Sequence, residues 1–130
     1  MSAMETLGLW IGLHVFLLLA LKLNVGRVRS SEKISFGDDG NERMIRAIRV
    51  QGNAVEDVPI LLLGLVALAL MNAPALLLHG IGGGLFVSRV LHAVGLGSSS
   101  GTSFGRFIGT IGTLLVSLTT IGACLWFAFT

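Results

Sequence analysis

The chain has no tyrosine, one cysteine, two prolines, and charged side chains at only 12% of its 130 positions. Each shortage removes a class of chemistry. No phenolic hydroxyl is available to any site, and Cys124, alone in an apolar terminal run, leaves neither an intrachain disulfide nor a cysteine metal centre. Soluble domains carry roughly 25% charged residues. Here the charged fraction is about half that, hydrophobic residues make up 53% and the mean hydropathy is +0.86. These values place the chain outside the soluble globular range and predict an integral membrane protein. The net charge of +2 is small, no nucleic-acid partner is expected, and no metal is called for.

What is abundant is apolar sequence in lengths that cross a bilayer. Thr6 to Leu23, broken only by His14 and Lys22, predicts a first helix, and it lacks the small-residue cleavage site of a removable signal peptide. The polar stretch from Asn24 to Asn41, with Gly37-Asp38-Asp39-Gly40, reads as a loop. Asn41 or Asp39 is expected to cap a second helix running to about Leu70, kinked at Pro59. Met71 to Pro74 predicts a tight turn, followed by a third helix over Ala75 to Val94. Gly95 to Ser103 reads as a flexible connection, and a fourth helix is predicted from Phe104 to about Phe129. The fold class is therefore an all-α membrane protein, a bundle of four transmembrane helices in a single domain over residues 1–130.

The glycines at 80, 82, 83 and 84 have no following Lys-Ser or Lys-Thr and no preceding strand, so they are not a phosphate loop. With Gly105, Gly109 and Gly112 they predict close helix packing. His14 is expected to pack between helices, His79 to sit at an interface, and Trp10 and Trp126 to anchor membrane surfaces.

All nine Lys and Arg fall beside the first and third connections, which by the positive-inside rule predicts both termini on the side away from the cytoplasm. Several of these lie inside helices. On the second helix Arg49, Asn53 and Glu56 stand at i, i+4 and i+7, with Arg46 a turn earlier, and form one polar stripe. Ionisable groups in a membrane helix are costly and face a bundle interior or a wet cavity. The stripe reads either as a binding site or as an internal Arg49 to Glu56 ion pair that locks helices together. Arg89 and His92 form a second polar pair, expected level with the membrane surface. Several Arg, one carboxylate and one amide suit a small anionic ligand that also carries an ammonium group. Glutathione is one such molecule, although these residues alone do not single it out.

The spacing R-x-Q-x-N-x-x-E-x-x-P, present as Arg49, Gln51, Asn53, Glu56 and Pro59, resembles the second helix of the MAPEG family, the membrane-associated proteins of eicosanoid and glutathione metabolism. Arg27-Val28-Arg29, Arg89-Val90-Leu91-His92 and Arg106 extend the likeness over nearly the whole chain, which looks closest to small bacterial members. The resemblance implies a four-helix protomer assembling as a homotrimer in the bacterial inner membrane, with glutathione bent between neighbouring protomers near the cytoplasmic surface. It implies ligand contacts for Arg49, Asn53 and Glu56, further contacts for Arg27, Gln51, Arg89 and His92, and thiolate stabilisation by Arg106. The implied activity is a glutathione transferase or peroxidase acting on hydrophobic electrophiles that enter from the bilayer. Eukaryotic enzymes of the family carry a tyrosine where this chain has Leu96, and several members have tyrosine in place of Asp57. A non-catalytic binding protein on the same scaffold is the alternative. A four-helix transporter using Glu56 is a third reading, opposed by the surrounding arginines.

Overall fold

The computed structural model describes residues 1–98, 101 and 103–130. Among these, four helices follow one another: α1 (Ala3–Glu32), α2 (Glu42–Leu70), α3 (Ala75–Ser98) and α4 (Phe104–Phe129). All four are long and apolar enough to cross a bilayer. The protein is a multi-pass integral membrane protein.

Two helix ends differ from the sequence expectation. α1 continues for nine residues beyond Leu23, through the polar stretch read as loop. The polar side chains there build the helix end instead of breaking it. Arg29 donates to the carbonyls of Ile34 (3.4 Å) and Gly37 (3.0 Å), and Lys33, at φ 57°, closes the last turn. Glu32 accepts from Arg43 (2.8 Å) and Asn41 (3.0 Å), which ties the end of α1 to the start of α2 over a small core of Val28, Ile34, Met44 and Ala47. α3 likewise runs to Ser98, so Gly95 to Ser98 are helical. Gly95 is there for contact: a Cβ on it would run into the backbone of α4 at Gly105 and Arg106. Of the expected flexible connection, Ser99, Ser100 and Thr102 lie outside the described residues.

The other expected ends are found. Asn41 caps α2, accepting from the Met44 amide at 3.0 Å, and α2 is a continuous helix through Pro59. The tight turn at 71–74 places Asn72 at φ 59°, and Ser103 caps α4 by accepting from the Arg106 amide.

α2 and α3 sit in the middle, each packed on the other three helices, while α1 and α4 do not meet. The main core, around Leu65, Leu68, Leu78, Ile81 and Leu85, fills the half of the bundle away from the basic residues. At that end Gly82 and Gly83 accept the indole of Trp10, which therefore packs inward and does not anchor a membrane surface. Its Nε1–H donates to His79 Nδ1 (3.2 Å), and His79 Nε2 lies 3.3 Å from the Thr6 hydroxyl. The hydroxyl donates to the Ser2 carbonyl, so His79 supplies the proton of that contact. His79 thus joins α1 to α3. His14 packs as expected, buried with Nδ1 on the Trp10 carbonyl (2.7 Å) and its ring edge-on to Phe86.

Lipid tails are as apolar as leucine, so α3 and α4 associate through close packing. A Cβ at Gly109 would lie 2.5 Å from the Ser88 carbonyl oxygen and 2.6 Å from the His92 amide nitrogen. Backbone cannot step aside cheaply. Gly109→Ala is expected to cost about 1–3 kcal/mol through overpacking, whereas Gly80→Ala, which faces open space, should be neutral or gain up to about 1 kcal/mol of helix propensity. Detergent-titrated unfolding in mixed micelles, followed by helical dichroism, measures both. Equal effects would show that Gly109 does not set the distance between α3 and α4.

Candidate functional site

The basic residues gather at one end of the bundle, where α1 and α3 finish and α2 and α4 begin. Three cavities open there, arranged around α2. Between α2, α3 and α4 lies a cleft of about 320 Å³, lined by Glu42, Ile45, Arg46, Arg49 and Asn53 of α2, Leu96 of α3 and Arg106 of α4. Next to it is a chamber of about 230 Å³, lined by Asn53, Asp57, Arg89, His92 and Ser117 among others. Asn53 borders both. On the opposite side of α2 a groove of about 390 Å³ carries Arg27 and Arg43 on mostly apolar walls.

Asn53 donates through Nδ2 to the Arg49 carbonyl (2.7 Å), which leaves its side-chain oxygen as an acceptor for another group. Arg49 is exposed and Asn53 half-buried. Arg106 is positioned by its own helix start, with its amide held by Ser103, and by the contact of Gly109 with His92, one turn further along α4. The Thr110, Thr113 and Ser117 hydroxyls each donate to the carbonyl four residues back in α4. They therefore present only oxygen lone pairs to the chamber.

The expected residues separate into two groups. Arg49, Asn53 and Arg106 share the cleft, while Asn53, Arg89 and His92 share the chamber. Arg27 lies in the groove beyond α2. Gln51, two residues from Arg49 and so on the far side of the helix, is half-buried, and Glu56 is exposed. Among the described residues, neither lines the cleft with Arg106.

The alternative reading of the stripe, an internal ion pair, is not met. Arg49 and Glu56 form no ion pair among the described residues. They are seven residues apart, about 10 Å along the axis, and both point outward. Arg89 and His92, expected level with the membrane surface, are turned inward. They are 3% and 6% exposed, within the bundle.

The internal ion pair is Arg89 with Asp57, a residue that the sequence reading noted only as a departure from its resemblance. Arg89 Nη1 donates to Asp57 Oδ2 and to the Asn53 carbonyl (3.4 Å), while its buried Nε has no partner. A signal for this was present in the sequence. Asp57 follows Asn53 by four residues as Glu56 follows it by three, so either acid fits the stripe.

A family model described as the MAPEG family matches residues 7–126. Two curated relatives, both named Inner membrane protein YecN, from Escherichia coli K12 and Escherichia coli O6:H1, are each 31% identical over 83 residues, covering 64% of this chain. The chain spans 63% of the length of these relatives. No solved structure matches it.

Breaking a buried ion pair by removing one partner is strongly destabilising. The two partners here are unequal, because the Arg89 side chain is 2% exposed and that of Asp57 46%. Asp57→Ala, which strands a buried guanidinium, is expected to cost about 3–5 kcal/mol, and Arg89→Met distinctly less, since Asp57 can turn outward. Unfolding in mixed micelles checks the order. Equal or reversed losses would mean that the pair does not hold α2 and α3 together.

Proposed function

The chain belongs to the MAPEG family, and from that membership and the arginine-lined cleft we propose that it binds glutathione and acts as a glutathione transferase or peroxidase on lipophilic electrophiles. The observation that carries this reading is the meeting of Arg49, Asn53 and Arg106 around one cleft of about 320 Å³. Arg49 offers a guanidinium fork to a ligand carboxylate. Asn53 offers an amide oxygen to an ammonium or peptide N–H. Arg106, set by its helix start at the cleft wall, is placed to favour thiolate over thiol, as a neighbouring cation does.

Arg27, Gln51 and Glu56 do not line this cleft, so in this reading they act through a neighbouring protomer, and the working unit is a homotrimer. The basic end faces the cytoplasm, with both termini on the other side. Leu96 puts an apolar side chain in the cleft, at the position where the resemblance has tyrosine. That favours, as a second reading, a protein that binds glutathione without turning it over.

Crosslinking in native membranes should stop at three chains. A ladder ending at two would remove the shared site. Glu56→Gln, which takes a charged partner from a desolvated zwitterion, should weaken glutathione binding about tenfold, given about 1–3 kcal/mol for a group left unpaired. Parent-like affinity in this variant, with a weakened trimer, would make Glu56 purely structural.

Arg106 separates binding from ionisation. Arg106→Leu should keep much of the glutathione affinity but raise the bound thiol pKa toward its free value of about 8.5. Turnover falls at neutral pH and recovers in part as the pH rises. Arg106→Lys should fall between parent and Leu, because an ammonium restores the charge without the planar fork. Thiolate absorbance and conjugation rate against pH measure both effects. A parent-like pKa and rate in the Leu variant would reduce Arg106 to an orienting charge, and thiolate absorbance without conjugation would establish the second reading.

A further inference from the structure

On the side of α2 away from the cleft, the groove of about 390 Å³ is shared by α1, α2 and α3. Each helix gives it one face, at positions i, i+3, i+4 and i+7 counted from Leu17 on α1, Arg43 on α2 and Val90 on α3. On α1 the lining continues to Arg27 and Val28. Because α1 and α3 finish at the basic end and α2 begins there, the three faces run in step. Asn24, Arg27, Arg43 and Arg46 all stand at that end, and beyond them the walls are leucine, valine and alanine. The groove therefore has a polar head and an apolar tail.

Its size is that of one lipid chain in one leaflet. Leu17 to Arg27 spans about 15 Å of helix, and half of a hydrocarbon core is about 15 Å thick. A methylene takes up about as much room as a water in the liquid, about 30 Å³, so the groove holds about a dozen of them.

The head is positive. Three guanidinium groups line it and no carboxylate does. Arg43 gives Nη1 to Glu32 (2.8 Å), and Arg46 Nη1 lies 3.9 Å from Glu42. Arg27 donates to the Asn24 side-chain oxygen (3.0 Å) and pairs with no acid among the described residues. Orienting the chain requires only that these charges lie on one side of the membrane. It does not require them to ring the mouth of a groove. A phosphodiester takes guanidinium forks well, and basic pockets between membrane helices bind anionic headgroups.

We propose that this groove seats one anionic phospholipid from the leaflet at the basic end, with its phosphate among Arg27, Arg43 and Arg46 and one acyl chain between α1 and α3. The seat does not depend on the glutathione reading. That reading also draws on Arg27, and Arg46 lines the cleft as well, so the informative variants are at Arg43 and Ala93, which line the groove and not the cleft. A chain already dissolved in lipid gains no hydrophobic energy on entering the groove, so selectivity comes from the head.

The protein is reconstituted in phosphatidylcholine bilayers with a trace of phosphatidylglycerol that carries a diazirine midway along one chain. Label is expected on residues 17–21 and 90–94, displaced by unlabelled phosphatidylglycerol and not by added phosphatidylcholine. Arg43→Gln should raise the half-displacing concentration about fivefold, the effect of one arginine near an anionic surface. Lys33→Gln removes the same charge at the same end but outside the groove, and should change it less than twofold. Arg43 also ties α1 to α2 through Glu32, so Ala93→Trp, which fills the groove and keeps every charge, is the second arm and should abolish the label on 17–21. Equal losses in Arg43→Gln and Lys33→Gln would overturn the proposal, by reducing the arginines to surface charge. Label that phosphatidylcholine displaces equally well, or that persists on 17–21 in Ala93→Trp, would overturn it too. So would displacement by hexadecanoate as effective as by phosphatidylglycerol, which would make the ligand a carboxylate, or loss of the crosslinked trimer in Ala93→Trp, which would assign the groove to a second copy of the chain.

Discussion

A guanidinium inside a membrane-spanning bundle has little water to solvate it, so the helices around it must supply its hydrogen bonds. Arg89 is that group, and α2 supplies both of its partners, the Asp57 carboxylate and the Asn53 carbonyl. Those two contacts fix α2 against α3 in depth and in rotation. A slip of α2 by one residue would turn Asp57 about 100° away and strand the charge. The apolar core at the other end, built of leucine and isoleucine, tolerates small slips far better, because one aliphatic contact replaces another.

The second constraint is distance. Association in lipid depends on how closely backbones approach, and α4 approaches α3 through glycines on both helices. Gly95 and Gly105 face one another, Gly109 lies against the backbone of Ser88 and His92, and Gly112 against the Ser88 side chain. The row ends where the cleft begins. Gly109 is one turn beyond Arg106, so the contact that brings the helices together also carries the arginine to the wall of the cleft, next to Asn53. Packing and site geometry are in this respect one feature, and residues that touch no ligand decide where the cation stands.

The number of helices, the Asn41 cap and the turn before Ala75 were legible in the sequence, because hydropathy and capping act locally. Helix ends at the membrane surface were not. Past Leu23 the side chains turn polar because the chain meets water, and Arg29 and Glu32 then use that polarity to finish the helix. Gly95 to Ser98 misled for the opposite reason, since glycine marks flexibility in a loop and contact in a packed helix. The choice between Glu56 and Asp57 lay beyond local reasoning altogether. Both acids fit the spacing from Asn53, and only the position of α3, a tertiary fact, selects Asp57. The inward packing of Trp10 depended in the same way on Gly82 and Gly83, which lie two helices further along the chain.

The geometry of α2 also explains why the protomer looks unfinished. At about 100° per residue, taking Arg49 as zero, Asn53 lies near 40°, Asp57 near 80° and Glu56 about 20° to the other side. The polar stripe therefore straddles the edge of the bundle. Its inner margin is satisfied within the protomer, by Arg89 and by the cleft. Its outer margin, Arg49 and Glu56, is exposed, and neither side chain has a polar partner among the described residues. A carboxylate left bare in this way within a membrane helix is costly, so its partner has to come from outside the chain. A ligand bridging two protomers, or the neighbouring protomer itself, would meet that need at the place where the stripe leaves the bundle. In the assembly proposed above, that contact would depend on the rotation of one helix, which Arg89 and Asp57 hold in place.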